Sequence, residues 1–428
     1  MTVLPTAAFA ADDCHVGAYR LSDGRLVDIA PSEGQTLRWR MFDGETGALA
    51  HLANGSWSST YGWTQRPDGK SITLSNCVDG RLRFAGVDGR RIPLEATETS
   101  FESHGTRLSG RLVLPQGRGR VPIVILVHGA EHDSARQFYF LQRMLPAEGV
   151  GAFVYDKRGV GGSGGQYTQD FNLLADDAVA AMHEARRLAG RRAGRIGYQG
   201  GSQGGWVAPI AAARAPVDFV IVSFGLAVSV IEEDQEEVAL EMALKGHTPE
   251  EIAKAQEVAA AAEEVIASAF TQGFDRFDEV RAKYRNAPWY KDLHGNYTWA
   301  LLPYTAAELR EKGKQFIWGT PFHYDPMPTL CAASTPELWI LGSDDLEAPS
   351  AETSRRIKSL IAQSRPFTLA IEPGAEHGMT DYEMKGEERI STRYSPGYFE
   401  MMRDFARDGR LRKPYGRAEI SPAPNQRP

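Results

Sequence analysis

Gly200-Gly201-Ser202-Gln203-Gly204 places a serine in a G-x-S-x-G pentapeptide. It follows the β-prone run Arg195-Ile196-Gly197-Tyr198 and precedes the helix-prone run Trp206–Ala211. Strand, tight turn and helix in that order lift a hydroxyl out of a sheet, where it can attack an acyl carbon. The glycines serve the turn, because its strained backbone leaves little room for neighbouring side chains. With 43 glycines in 428 residues the pattern recurs by chance, and Gly161-Gly162-Ser163-Gly164-Gly165 is a second copy. Polar residues Gln166–Asp170 follow Ser163 and no helix begins within its reach. Ser202 is therefore the expected nucleophile.

A serine hydroxyl is weak at neutral pH and needs a general base, itself oriented by an acid. In a sheet of this kind the chain order is serine, acid, histidine, each past the C-terminal end of a strand. The loop Gly342-Ser343-Asp344-Asp345-Leu346-Glu347-Ala348-Pro349 follows the strand-like Glu337–Leu341. Loop register favours Asp345 as the acid over its neighbour Asp344, and either can instead cap a helix ahead of Ser350. Pro373-Gly374-Ala375-Glu376-His377-Gly378 follows Phe367–Ile371. Its glycines suit a histidine that must swing between serine and leaving group, so His377 is the expected base. The oxyanion of the intermediate needs backbone donors. The Gln203 amide is one, and the loop after the first long strand supplies the other, placed at Ala130. That loop also reads H-x-x-E-H from His128 to His132, a zinc-peptidase pattern. Zinc chemistry needs a helix to bring both histidines to one face, whereas here a glycine follows a strand end, so no metal is expected.

The elements that must position these residues fall into two regions. Residues 14–95 carry short β-prone runs between turn signals such as Asp23-Gly24 and Asp43-Gly44, the mark of a small all-β domain of antiparallel hairpins. From 96 to 428, strands alternate with helices. Strands are predicted at Val121–Val127, Ala152–Tyr155, Arg195–Tyr198, Phe219–Ser223, Glu337–Leu341 and Phe367–Ile371. Helices are predicted near Ala135–Ala147, Leu173–Leu188, Trp206–Arg214, Ala351–Ile361 and Gly397–Arg407. Continuous apolar strands imply burial on both faces, hence a mostly parallel sheet in an α/β fold.

Residues 226 to about 325 break the alternation and read as a helical lid. Thr248-Pro249-Glu250-Glu251 is a capping box opening one of its helices. Its aromatics, Trp289 to Tyr324, either hold the lid together or line a substrate pocket. Glu232, Glu233, Asp234, Glu236, Glu237 and Glu241 read as a solvated helix face, the alternative being that one or two grip a substrate amine.

A hydrophobic content of 42% and a charged content of 24% are those of a globular protein, and the formal net charge of -7 argues against nucleic acid as a partner. No apolar run reaches membrane-spanning length. Ala8-Phe9-Ala10 resembles the cleavage site of a shortened secretory leader, which predicts a secreted or periplasmic protein, with a cytoplasmic one as the alternative. In an oxidising compartment Cys14 and Cys77 could staple the β domain, while Cys331 reads as a packed thiol.

Four features together resemble the α/β-hydrolase superfamily over roughly residues 96–410. They are His128-Gly129 after a strand, Asp156-Lys157-Arg158-Gly159-Val160-Gly161-Gly162-Ser163, the Ser202 turn, and the Asp345/His377 pair. Gly200 to Trp206 is similar to bacterial esterases and acyl-peptidase-like hydrolases. Ala130-Glu131-His132 stands where many lipase-type members carry further glycines, which argues against a bulky-alcohol lipase. The resemblance implies cofactor-free hydrolysis of a small-molecule ester, or of a short acyl or peptidyl substrate by a serine exopeptidase. A non-catalytic binding module of the same fold is the third alternative.

Overall fold

The computed structural model describes residues 14–32 and 36–424; the leader-like Ala8-Phe9-Ala10 lies outside them. Eight antiparallel strands close into a barrel, the first, Gly17–Leu21, pairing with the last, Val87–Arg91. Turn glycines Gly24 and Gly44 adopt φ of +91° and +98°, which a side chain would resist. Strand alternation sends Tyr19, Val27, Ile29, Leu37, Trp39 and Phe84 into the barrel core. Trp39 Nε1 donates to Ser59 Oγ at 2.7 Å, so the one polar atom of that ring is satisfied. Cys14 and Cys77 form a disulfide.

The same alternation sends Asp28, Arg38 and Arg40 outward, yet all three are buried. The following domain covers that face of the barrel. Asp28, fully buried, accepts from Arg143 Nε and Nη2 at 2.7 and 3.0 Å. The Gly44 carbonyl accepts from the Tyr394 amide at 2.9 Å, and the Ser391 carbonyl from the Trp63 amide at 2.9 Å. Arg143→Ala leaves a buried carboxylate without its partner, which costs about 3 kcal/mol or more. Its thermal melt should begin at a lower temperature than that of the native chain.

The second domain is built on a nine-stranded sheet. Its order is Glu419–Ser421, Phe367–Glu372, Glu337–Gly342, Phe219–Ser223, Ala193–Gly201, Val121–Val127, Gly151–Tyr155, Thr106–Pro115, Leu94–Ser103. The six strands between the first and the last two are parallel, and the outer pairings are antiparallel. Phe171–Ala189, Gly204–Arg214 and Ser350–Ala362 pack on one face, and Leu141–Ala147 and Tyr398–Asp408 on the other. The expected architecture, a mostly parallel sheet with helices on both faces behind an all-β domain, is the observed one. The single helix expected over Ala135–Ala147 is two, Ala135–Phe138 and Leu141–Ala147, because Tyr139 turns extended between them. A three-stranded sheet, Ala375–Glu376, Thr380–Lys385 and Glu388–Tyr394, was not anticipated; its charged, half-exposed strands lack an apolar period.

Between Phe219–Ser223 and Glu337–Gly342 the chain forms a helical insertion, including Val230–Leu244, Pro249–Ala267 and Phe274–Tyr284, with its own core of Val258, Ala262, Phe277 and Trp289. Thr248 and Glu251 form the expected capping box. The acidic run differs from a solvated face. Glu233, Asp234 and Glu237 are buried, and Asp234 accepts from the amides of Tyr297 and Thr298 at 2.6 and 3.2 Å. Asp234 and Glu237, the latter accepting from the Asn296 amide at 2.7 Å, satisfy backbone donors in the loop packed against their helix, which a tally of charge along the sequence does not reveal. No helix among the described residues is long and apolar enough to cross a membrane.

Candidate active site

Strand Ala193–Gly201 ends at the turn, and Ser202 adopts φ +51° before helix Gly204–Arg214 begins. Such a backbone is costly for a residue with a side chain and persists only where its surroundings impose it. Two contacts impose it here. A Cβ on Gly200 would lie 2.1 Å from the Gly204 carbonyl oxygen, and one on Gly204 would lie 2.9 Å from those of Val127 and His128. The turn is therefore pressed between its own strand and the neighbouring one, and both glycines of the motif are required.

Asp345 is 1% exposed. Its Oδ1 accepts from the Ala348 amide at 2.8 Å, and its Oδ1 and Oδ2 lie 3.2 and 3.0 Å from His377 Nδ1. Asp344 is turned elsewhere, accepting from Tyr382 Oη at 2.9 Å and Ser343 Oγ at 2.7 Å. The register expected from the loop is thus the one that meets the histidine. Phe224 packs edge-on against the His377 ring at 4.8 Å. Burial alone would pull the imidazole pKa down, but the carboxylates of Asp345, Glu347 and Glu376 outweigh it and raise it to about 9. Glu347 Oε1 is 3.6 Å from Nε2, the nitrogen a reacting proton would use. Glu347→Gln removes one anion that stabilises the imidazolium, so the neutral base survives to lower pH. The acid limb of kcat/KM against pH should move to lower pH and the rate at pH 7 should rise a few-fold, since a half-exposed pair is worth about 1 kcal/mol or less.

Ser202, His377 and Ala130 line one cavity of 730 Å³. Neither the Gln203 nor the Ala130 amide meets a backbone acceptor among the described residues. Lys157, buried, donates from Nζ to the Gly129 carbonyl at 2.6 Å. Because a trans peptide sets its C=O and N–H on opposite sides, this bond turns the Ala130 N–H away from Lys157. Burial lowers the Lys157 pKa to about 8, opposed by Glu131. Glu131 is pushed up by its own burial, but His128, Tyr139 and Lys157 outweigh that and hold it at about 2.

The competing motifs have structural partners. Ser163 Oγ donates to the Asp156 carbonyl at 2.6 Å and accepts from the Ser109 amide at 2.9 Å, fastening its loop. The H-x-x-E-H run is not helical: His128 Nδ1 lies 3.2 Å from Glu131 Oε1, while the His132 ring stacks on Tyr167 at 3.7 Å.

The profile of the family described as serine aminopeptidase S33 matches residues 120–383, which include the Ser202 turn, Asp345 and His377. The chain belongs to this family of α/β-hydrolases. Among solved structures, the hydrolase is similar to an esterase of Pyrococcus furiosus at 16% identity, covering 66% of this chain and 84% of that one, with a TM-score of 0.42. It is similar to an acylaminoacyl peptidase of Pyrococcus horikoshii at 13% identity, covering 88% and 55%, with a TM-score of 0.44. Est1E from Butyrivibrio proteoclasticus, with ferulic acid bound, matches at 16% identity over 73% and 97%, with a TM-score of 0.41. No curated protein matches the hydrolase in sequence.

Sequence reasoning missed how the cavity is walled. No residue of 226–325 lines it; the barrel contributes Arg40 and Trp63, and the 375–394 sheet contributes Ser391 and Tyr394. The insertion's aromatics instead pack among themselves or, like Trp318, against His132 and Tyr167. The only signal for Arg40 was its outward position in the strand of Leu37, Trp39 and Met41.

Proposed function

We propose that the chain is a serine hydrolase that cleaves carboxylic esters through an acyl-enzyme. Ser202 Oγ attacks the acyl carbon while His377 Nε2 takes its proton. The amides of Gln203 and Ala130 hold the negative oxygen of the tetrahedral intermediate. His377 then gives the proton to the departing alcohol. Water repeats the sequence on the acyl-enzyme, releasing the acid and restoring Ser202. Asp345 keeps Nδ1 protonated and Nε2 free to accept. The observation that carries this reading is the 3.0 Å approach of Asp345 to His377 Nδ1, beside a cavity that Ser202 also lines.

The second reading is a serine exopeptidase on short peptides, with an acidic anchor for the substrate amine. Glu347 lines the cavity, and buried Glu233 lies close enough that Glu347 and Asp345, with burial the larger cause, raise its pKa. A fluorophosphonate should label Ser202, and butyrate esters should turn over faster than aminoacyl anilides. Faster anilide turnover that Glu233→Gln or Glu347→Gln abolishes would select the exopeptidase. Absence of labelling at Ser202 would leave the fold as a binding module.

A further inference from the structure

Arg40 is the one charged side chain that the barrel sends into the cavity shared by Ser202 and His377. It is 8% exposed. Its guanidinium carbon sits 4.2 Å from the Phe140 ring centroid, and Nε donates to Tyr394 Oη at 3.3 Å. Nη1 is buried with no hydrogen-bond partner. No carboxylate among the described residues forms an ion pair with it. Asp28 stands directly opposite on the neighbouring strand, but both of its oxygens are taken by Arg143. The two carboxylates that line the cavity are engaged elsewhere, Glu131 with His128 and Tyr139, Glu347 beside His377.

A guanidinium does not lose its proton under these conditions, so burial cannot neutralise it. A buried cation without an anion is expensive, and its planar fork is matched by a carboxylate. Phe140 and Tyr394 fix the plane and one edge, leaving Nη1 for a ligand. From this geometry we infer that Arg40 is an anion anchor, and that the substrate carries a free carboxylate bound at the barrel wall while its ester lies at Ser202. The inference rests on the serine-hydrolase reading for the ester and not for the anion.

Two measurements separate them. The first is the ratio of kcat/KM for an anionic ester over its neutral counterpart. One pair places the charge on the acyl side, para-nitrophenyl hemiglutarate against para-nitrophenyl pentanoate. The other places it on the alcohol, para-carboxyphenyl against para-carbamoylphenyl butyrate. One of the two ratios should exceed unity by about tenfold or more and collapse in Arg40→Met. Arg40→Lys, which keeps the charge and loses the fork, should fall between, and it decides the matter if Arg40→Met does not fold. The second measurement is calorimetric binding of glutarate to Ser202→Ala, with and without a change at Arg40. Binding that depends on Arg40 supports the anchor even if no ester is hydrolysed, in which case the serine reading fails and the anion site stands. Ester turnover with ratios and glutarate binding indifferent to Arg40 overturns the anchor and leaves the serine reading in place.

Discussion

Ser202→Ala should lower kcat for a para-nitrophenyl ester by at least about 10⁴-fold, with the melting temperature unchanged. The large loss follows from chemistry: alanine offers no oxygen to form the acyl-enzyme, and the oxyanion donors alone cannot replace it. The steady melt follows because the variant keeps the Ser202 backbone, at φ +51°, as it was. Alanine inherits that backbone strain but gives up no buried hydrogen bond, as Ser202 Oγ has no partner among the described residues. Full turnover in the variant would remove Ser202 from the mechanism. Ser163→Ala is the companion measurement. It should leave turnover largely intact while loosening the loop that Ser163 ties to Asp156 and Ser109.

Asp345→Asn should cost about 10³- to 10⁴-fold in kcat/KM. An amide NH₂ facing Nδ1 donates where the carboxylate accepted, and it forces the proton onto Nε2, the nitrogen that must be free. The loss should therefore appear across the whole pH range, in contrast to the displaced pH limb of Glu347→Gln. Asp344→Asn tests the register. Asparagine accepts from one of the Tyr382 and Ser343 hydroxyls through its carbonyl and donates its NH₂ to the other, so the rate should change by less than about threefold. The opposite pattern, with Asp344 essential and Asp345 dispensable, would contradict the geometry of the 343–349 loop.

The parts of this molecule that repeat a period were legible in its sequence. Val121–Val127 and Phe219–Ser223 are apolar throughout because both faces of a central strand are covered, and their limits were read without error. Ser202, Asp345 and His377 stood out because each follows such a strand at a glycine-rich turn. What stayed hidden depends on contacts between distant segments. Thr380–Lys385 and Glu388–Tyr394 carry charge on a half-exposed hairpin, and no local pattern marks them as a bridge to the barrel. Arg40 looked like any outward residue of an edge-free strand until a second domain covered it. Asp234 and Glu237 looked solvated because sequence registers charge but not the loop that folds over it. The helical insertion, whose aromatics were one candidate for a pocket lining, contributes nothing to the cavity wall, whereas the all-β domain, in which nothing resembled a catalytic group, contributes Arg40 and Trp63.

The cavity wall draws on residues from Arg40 to Tyr398. A chain emerging from the ribosome completes its barrel early, yet the opposite wall is complete only once Tyr398, which opens the last described helix, has been made. The second domain folded without the barrel carries Ser202 and His377 in a cavity that lacks the wall of Arg40 and Trp63. Recovery of ligand binding after dilution from denaturant should accordingly lag behind the recovery of secondary structure, and keep time with the docking of the barrel on the second domain.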